Sequence, residues 1–219
     1  MTVIIAYSTP EIAFLAADSF RWDFVQRRNV GPVCKLHQAR SGDAFAVGGA
    51  FIDRTQLAAS IKEARLGGEP FIDSARRLSH PLFNETRVKM RVQGVEGEQF
   101  CICWYAETNV DGCSVTRHRL PEDRIETVQG FDFSGPDTPW LTGEATKLLG
   151  QSCKGGRLAL DTFAFRLIEI AAYRHPRSVG FPAMAIILHR DGNSAAQHVL
   201  HPSLGFTPHS DFEIAYTHR

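Results

Sequence analysis

Residues 2–8 (TVIIAYS) and 12–18 (IAFLAAD) are almost wholly apolar, rich in β-branched and aromatic side chains, and separated only by the turn Ser8-Thr9-Pro10-Glu11. Such residues favour the extended chain, and so short a connection makes the pair an antiparallel hairpin. A strand with one wet face alternates polar and apolar residues. These two do not alternate, so both of their faces must be covered. The hairpin therefore belongs in the middle of a layered structure, with further elements above and below it. A chain of 219 residues is long enough to supply them around one core. Hydrophobic residues at 43% and charged residues at 22% are ordinary for a globular protein, and they exclude disorder as the main state.

The rest of the chain reads as further strands and helices in blocks. VCKLHQ (33–38) and AFAVGG (44–49) complete a β-meander, after a polar loop over Arg21–Pro32. Asp53, with Gln56 three residues on, predicts a helix start. Leu57, Ala58, Ile61 and Ala64 form that helix's apolar stripe, and Gly67-Gly68 its end. A short helix is expected over 71–79, ending before Pro81. The alternation of Val88, Met90 and Val92 with Arg87, Lys89 and Arg91 predicts a strand over 86–95. Strands follow at 99–107, near 113–120 and at 124–130. Thr138 then caps a helix with Pro139 at its first position, closed by Gly150. A stronger helix covers 157–174. A hairpin of 183–190 and 195–201 turns at Asp191-Gly192. Strands in clusters and helices in pairs make an α+β chain with antiparallel sheets covered by helices. No linker interrupts it, so residues 1–219 are expected to form a single domain.

Composition narrows the function classes. Lys+Arg and Asp+Glu are equal at 24 each, so no global field draws the chain to nucleic acid or to an anionic membrane. No apolar run approaches the roughly 20 residues of a membrane span, and the start lacks a signal-peptide pattern. A cytoplasmic protein with no nucleic-acid or membrane partner is expected. The cysteines Cys34, Cys101, Cys103, Cys113 and Cys153 are odd in number and hold no CxxC. Cys101 and Cys103 share one strand face and are read as core. His198 and His201 face opposite ways, so no metal ligand set emerges and no cofactor is expected.

The chemistry sits at the N-terminus. Thr2 follows Met1, and a residue this small permits removal of the initiator. Thr2 would then carry a hydroxyl nucleophile and an α-amine base in one residue, the amine titrating near ~7.7–8.0. Beyond it stand T-V-I-I at 2–5, LAADSF at 15–20, CKLH at 34–37 and AVGGAFID at 46–53. In that order and near those spacings they resemble the proteasome β-subunit and HslV-type N-terminal nucleophile (Ntn) hydrolases, bacterial proteasome-related peptidases among them. The resemblance implies a four-layer αββα sandwich. It also implies a threonine endopeptidase that cleaves peptide bonds through an acyl-enzyme on Thr2.

Carried over position by position, the resemblance makes Thr2 the nucleophile, Lys35 the cation beside it and Asp18 the partner of Lys35. Gly49 becomes the oxyanion donor. Ser134, in Phe131-Asp132-Phe133-Ser134-Gly135, and Ser178 become the auxiliary serines. His175 stands where the family has an aspartate, and Asp132 is the candidate to substitute for it. Val3, Phe20 and one extra residue between Asp18 and Lys35 are lesser departures. A specificity pocket would involve residues 20, 31, 45 and 49, with Phe20 and Phe45 suggesting an apolar preference. Polypeptide or peptide substrates, a homo-oligomeric single or double ring of hexamer or heptamer type and an ATPase unfoldase are the implied partners. Two other readings stay open: a catalytically inactive proteasome-like ring or scaffold protein, and an Ntn amidase acting on a small amide.

Overall fold

The computed structural model describes residues 2–23, 28–49, 54–62, 69–95, 97, 99–153, 155–191, 195–202 and 208–216. Met1, Asp53, Ala64, Gly67, Gly68, Gly192 and His218 lie outside the described residues. The strands β1 (Ile4–Thr9) and β2 (Ile12–Ala17) form the expected hairpin. They sit inside a five-stranded antiparallel sheet with β10 (Gly130–Ser134), β12 (Ala183–His189) and β13 (Ala195–Leu200), in the order β10-β1-β2-β12-β13. A second five-stranded sheet runs in the order of the chain. It comprises β5 (Leu36–Gln38), β6 (Ala44–Gly49), β7 (Cys101–Asn109), β8 (Gly112–Leu120) and β9 (Arg124–Val128).

Strand parity sorts the side chains into layers. Ile4, Ala6, Leu15 and Ile186 of the first sheet pack against Leu36, Ala44, Ala46 and Trp104 of the second. The alternate residues Val3, Ile5, Phe14 and Ala185 turn outward onto α3 (Thr138–Ser152) and α4 (Leu160–Arg174). On the other side, Phe45, Val47, Cys103 and Tyr105 meet α1 (Arg54–Lys62) and α2 (Phe71–Val92). The architecture is thus an α+β sandwich of helix, sheet, sheet and helix, and β1 and β2 are apolar on both faces because both faces are covered.

Several local expectations are corrected. The segment expected as a short helix and then a strand is one helix, α2, running through Pro81. Phe71, Ala75, Ser79, Phe83, Thr86 and Met90 recur at helical spacing along its buried side. That stripe outweighs the period-2 alternation, so Val88 and Val92 point to solvent and Arg87, Lys89 and Arg91 form no sheet face. The loop over 21–32 contains a hairpin of β3 (Phe20–Asp23) and β4 (Arg28–Pro32). Residues Val33–Lys35 precede β5 rather than belonging to it. Residues 157–159 form β11, paired with β14 (Glu213–Ala215), so α4 begins only at Leu160. Asp137, not Thr138, caps α3, by accepting the Trp140 amide at 3.3 Å. Cys101 and Cys103 are fully buried with their sulfurs 3.9 Å apart.

Candidate active site

The parity that buries Ile4 and Ala6 between the sheets also turns Thr2 into that space, just before β1. Thr2 is only 6% exposed. From the facing sheet Gly48 approaches so closely that a Cβ there would lie 3.6 Å from the Thr2 Cβ, 3.3 Å from Ile4 and 3.7 Å from Trp104. Gly49 takes φ +93°, and a Cβ on it would fall 2.5 Å from the Phe100 carbonyl oxygen. Backbone this bent and this close to its neighbour is open only to glycine.

Asp18 follows β2 and is the hub of the site. Its amide donates to the Val3 carbonyl at 3.2 Å. Its Oδ1 accepts the Val3 amide at 2.8 Å and Lys35 Nζ at 2.9 Å. Its Oδ2 accepts the amides of Phe20 at 3.0 Å and Gly180 at 3.4 Å. The side chains of Lys35 and Asp18 are both unexposed. Burial pushes the Asp18 carboxyl up, while Lys35 and the amides of Val3 and Phe20 pull it back. With an ammonium at 2.9 Å and amides on both oxygens, the pair stands as an ion pair. One carboxylate oxygen thus joins the lysine to the peptide unit that links Thr2 and Val3. The backbone holds Lys35 in turn, its carbonyl accepting the Val47 amide at 3.0 Å, one residue before Gly48.

Ser134 lies opposite Ile4 in the β1–β10 ladder, so it shares the sheet face of Thr2. Ser178 and His175 belong to the turn after α4. The Ser178 hydroxyl donates to the His175 carbonyl at 3.4 Å. Two residues on, Gly180 completes the Asp18 cradle. The His175 ring packs edge-on against Trp140 of α3 at 5.8 Å, and its Nε2 is buried without a hydrogen-bond partner. The His175 ring is therefore turned to the helical layer. The Asp132 carboxylate accepts Trp104 Nε1 at 3.0 Å and Arg117 Nη1 at 2.8 Å.

Gly180 and Trp104 escaped the sequence reading. A Cβ on Gly180 would lie 2.5 Å from the Phe20 ring, so the 175–180 turn closes onto β3 only with glycine there. The Ser178-Val179-Gly180 triplet was the available signal.

No family model matches the chain, and no curated protein does. Solved structures do resemble it. The Anbu complex of Pseudomonas aeruginosa, solved as a helical assembly, superposes with a TM-score of 0.62 at 14% identity, covering 91% of this chain and 87% of that one. Anbu from Yersinia bercovieri, described as an ancestral β-subunit, gives 0.60 at 14% identity over 91% and 88%. Eukaryotic HslV from Trypanosoma brucei gives 0.56 at 14% identity over 85% and 99%. The fold is proteasome-like. At this identity the likeness establishes the αββα Ntn fold alone.

Proposed function

We propose that the protein is a threonine-type endopeptidase subunit of a self-compartmentalised assembly, with Thr2 as its nucleophile once Met1 is removed. The observation that carries this reading is the buried Lys35–Asp18 ion pair, tied by a shared oxygen to the Val3 amide and so to the backbone beside Thr2. An N-terminal threonine needs a cation nearby that disfavours protonation of its amine and favours the alkoxide. Lys35 fills that role, and Asp18 fixes it. The Thr2 amine takes the hydroxyl proton through a water as Oγ attacks the scissile carbonyl. The amine then gives the proton to the departing peptide amine. In this reading the Gly49 amide stabilises the oxyanion, a contribution worth roughly 10²–10³ in rate. Water hydrolyses the resulting ester. Ser134 and Ser178 act as auxiliary hydrogen-bonding groups around the amine. The strand edges near Phe20 and Gly49 receive the peptide. Homo-oligomerisation into a chamber, and an ATPase unfoldase feeding it, belong to the same proposal. The helical assembly of the Pseudomonas Anbu complex supports multimerisation.

An epoxyketone peptide tests the chemistry directly. It needs both groups of an N-terminal residue: the hydroxyl adds to the ketone and the amine opens the epoxide. A ring closes with no atom lost, so the intact mass should lack Met1 and rise by the whole inhibitor. Thr2→Ala should abolish both labelling and peptide cleavage. Retention of Met1 throughout the population, or cleavage surviving Thr2→Ala, would remove Thr2 from the mechanism.

One observation favours a second reading. His175, with its ring against Trp140 and its Nε2 unpartnered, supplies no carboxylate to hold a terminal ammonium. A non-catalytic, assembly-forming relative would keep the fold and the Lys35–Asp18 pair yet react with no epoxyketone.

A further inference from the structure

Strand alternation along β8 sends Val115, Arg117 and Arg119 toward the first sheet and Leu120 toward the helices. Arg117 crosses the gap, its Nη1 donating to Asp132 of β10 at 2.8 Å. It also pairs with Glu126 of β9, whose other oxygen accepts Arg124 Nη2 at 2.5 Å. Both carboxylates are thus taken. Arg119 is exposed and stands directly opposite Arg124 in the β8–β9 ladder. Among the described residues it forms no hydrogen bond or ion pair, and it acts on Glu126 only through space. Three guanidinium groups therefore share two carboxylates, and like charges set opposite each other in a ladder repel. An anion joining Arg119 would remove the imbalance.

Register places this surplus charge beside Thr2. Gly48, Ile102 and Arg119 form one row across β6, β7 and β8. Gly48 is the residue that the Thr2 side chain approaches. Ala46, Trp104 and Arg117 form the next row, deeper in the sandwich. On the first sheet Asp132, the partner of Arg117, lies opposite Ala6, and Ser134 lies opposite Ile4. One step outward from the Arg117–Asp132 bridge therefore brings both Arg119 and Ser134 to the Thr2 end. Neighbouring strands are ~4.8 Å apart, so the Arg119 backbone is roughly 10 Å from Gly48, about three residues of extended peptide. Ile102, between them, is a partly buried aliphatic surface on which the stem of an acidic side chain can lie.

We propose that Arg119 is a specificity-determining residue whose guanidinium takes a substrate carboxylate within about three residues of the scissile bond. The planar fork of an arginine fits a carboxylate with two parallel hydrogen bonds. The carboxylate belongs to an acidic side chain or to the C-terminus of a short peptide. The proposal rests on the reading of Thr2 as nucleophile and adds the substrate class, acidic peptides.

Calorimetry on the full-length Thr2→Ala chain tests it, because that variant binds without cleaving. The probes are alanine-based pentapeptides, acetylated and amidated, with glutamate, glutamine or lysine at the centre, and the glutamine peptide with a free C-terminus. A carboxylate peptide should bind about 10-fold more tightly than the capped glutamine peptide, the size of a charge-assisted hydrogen bond. Tight binding of the capped glutamate peptide assigns the carboxylate to a side chain, and of the free glutamine peptide to the chain end. Adding Arg119→Gln should erase the difference, and Arg119→Glu should turn the preference to lysine. Melting temperatures of both should match the parent's, since Arg119 is exposed and makes no ion pair to lose. The proposal is overturned if neither carboxylate peptide binds better than the capped glutamine peptide, or if the preference survives Arg119→Gln. The readout is binding rather than hydrolysis, so its failure leaves the Thr2 proposal standing. A parent chain inert to epoxyketone would overturn the Thr2 proposal and leave the carboxylate site in place.

Discussion

Lys35 and Asp18 hold each other where neither side chain meets water. Removing one partner leaves a buried charge without its counter-ion, at a cost of about 3–5 kcal/mol. We therefore expect Lys35→Ala to lose most of its folding stability in urea denaturation. Thr2→Ala, which removes no charge, should unfold close to the parent and is the cleaner probe of activity. Gly49→Ala meets both an unfavourable φ and the Phe100 carbonyl. Backbone strain of this kind costs about 1–3 kcal/mol before the clash is counted. A midpoint for Gly49→Ala equal to the parent's would show that the β6 end relaxes freely. Thr2, Asp18, Lys35 and Gly49 can be named as candidates from the sequence because they fall in four short segments of one meander. Gly180 and Trp104 reach the same place from distant parts of the chain; the Ser178-Val179-Gly180 triplet is the one local signal for the first, and nothing local announces the second.

At the scale of elements, α2 departs furthest from what its separate segments suggest. Strict alternation of charge and aliphatic groups over 86–92 has the period of a strand, and Pro81 suggested a break. The deciding pattern spans 71–90, longer than either segment considered alone, and it is helical. Phe83 lies fully buried on it, so Phe83→Ala should cost about 3–5 kcal/mol in the same denaturation assay. Beneath this helix runs a polar chain. Arg76 pairs with Asp123, Asp123 with His118 at 2.7 Å, and Tyr105 donates to Ser79 at 2.9 Å. Burial pushes His118 below the ordinary histidine value, against the opposing pull of Asp123. A histidine in the unfolded chain titrates near 6.5. Below that pH the unfolded state takes up a proton that the folded state resists, so the unfolded state gains. The His118 contribution is thus complete above about pH 6.5 and declines as pH falls toward the depressed folded value. Melting temperature should hold between pH 8 and 7 and drop below 6.5, with a shallower drop in His118→Gln. An equal drop in that variant would assign the effect to other groups.

For the molecule as a whole, the layering was legible from the first hairpin, since two strands without a polar face require cover on both sides. The order of strands was not, because β10, β12 and β13 join that hairpin through pairings that no single segment encodes. The chamber proposal belongs to this scale too. Light scattering on the purified chain should report at least a hexamer. A monomer at every concentration would overturn the compartment reading while leaving the fold untouched. The short β3–β4 hairpin and the chain's last strand pair, β11–β14, were missed for one reason: each is too brief to show a period.

The amide of Gly180 on Asp18 has a temporal consequence. A ribosome delivers Thr2, Asp18, Lys35 and Gly49 well before Ser134, Ser178 and Gly180. The carboxylate that steadies the lysine receives its last donor only after α4 has been made and the turn behind it has docked. Until then the carboxylate beside Lys35 is one amide short of the cradle that the folded chain gives it.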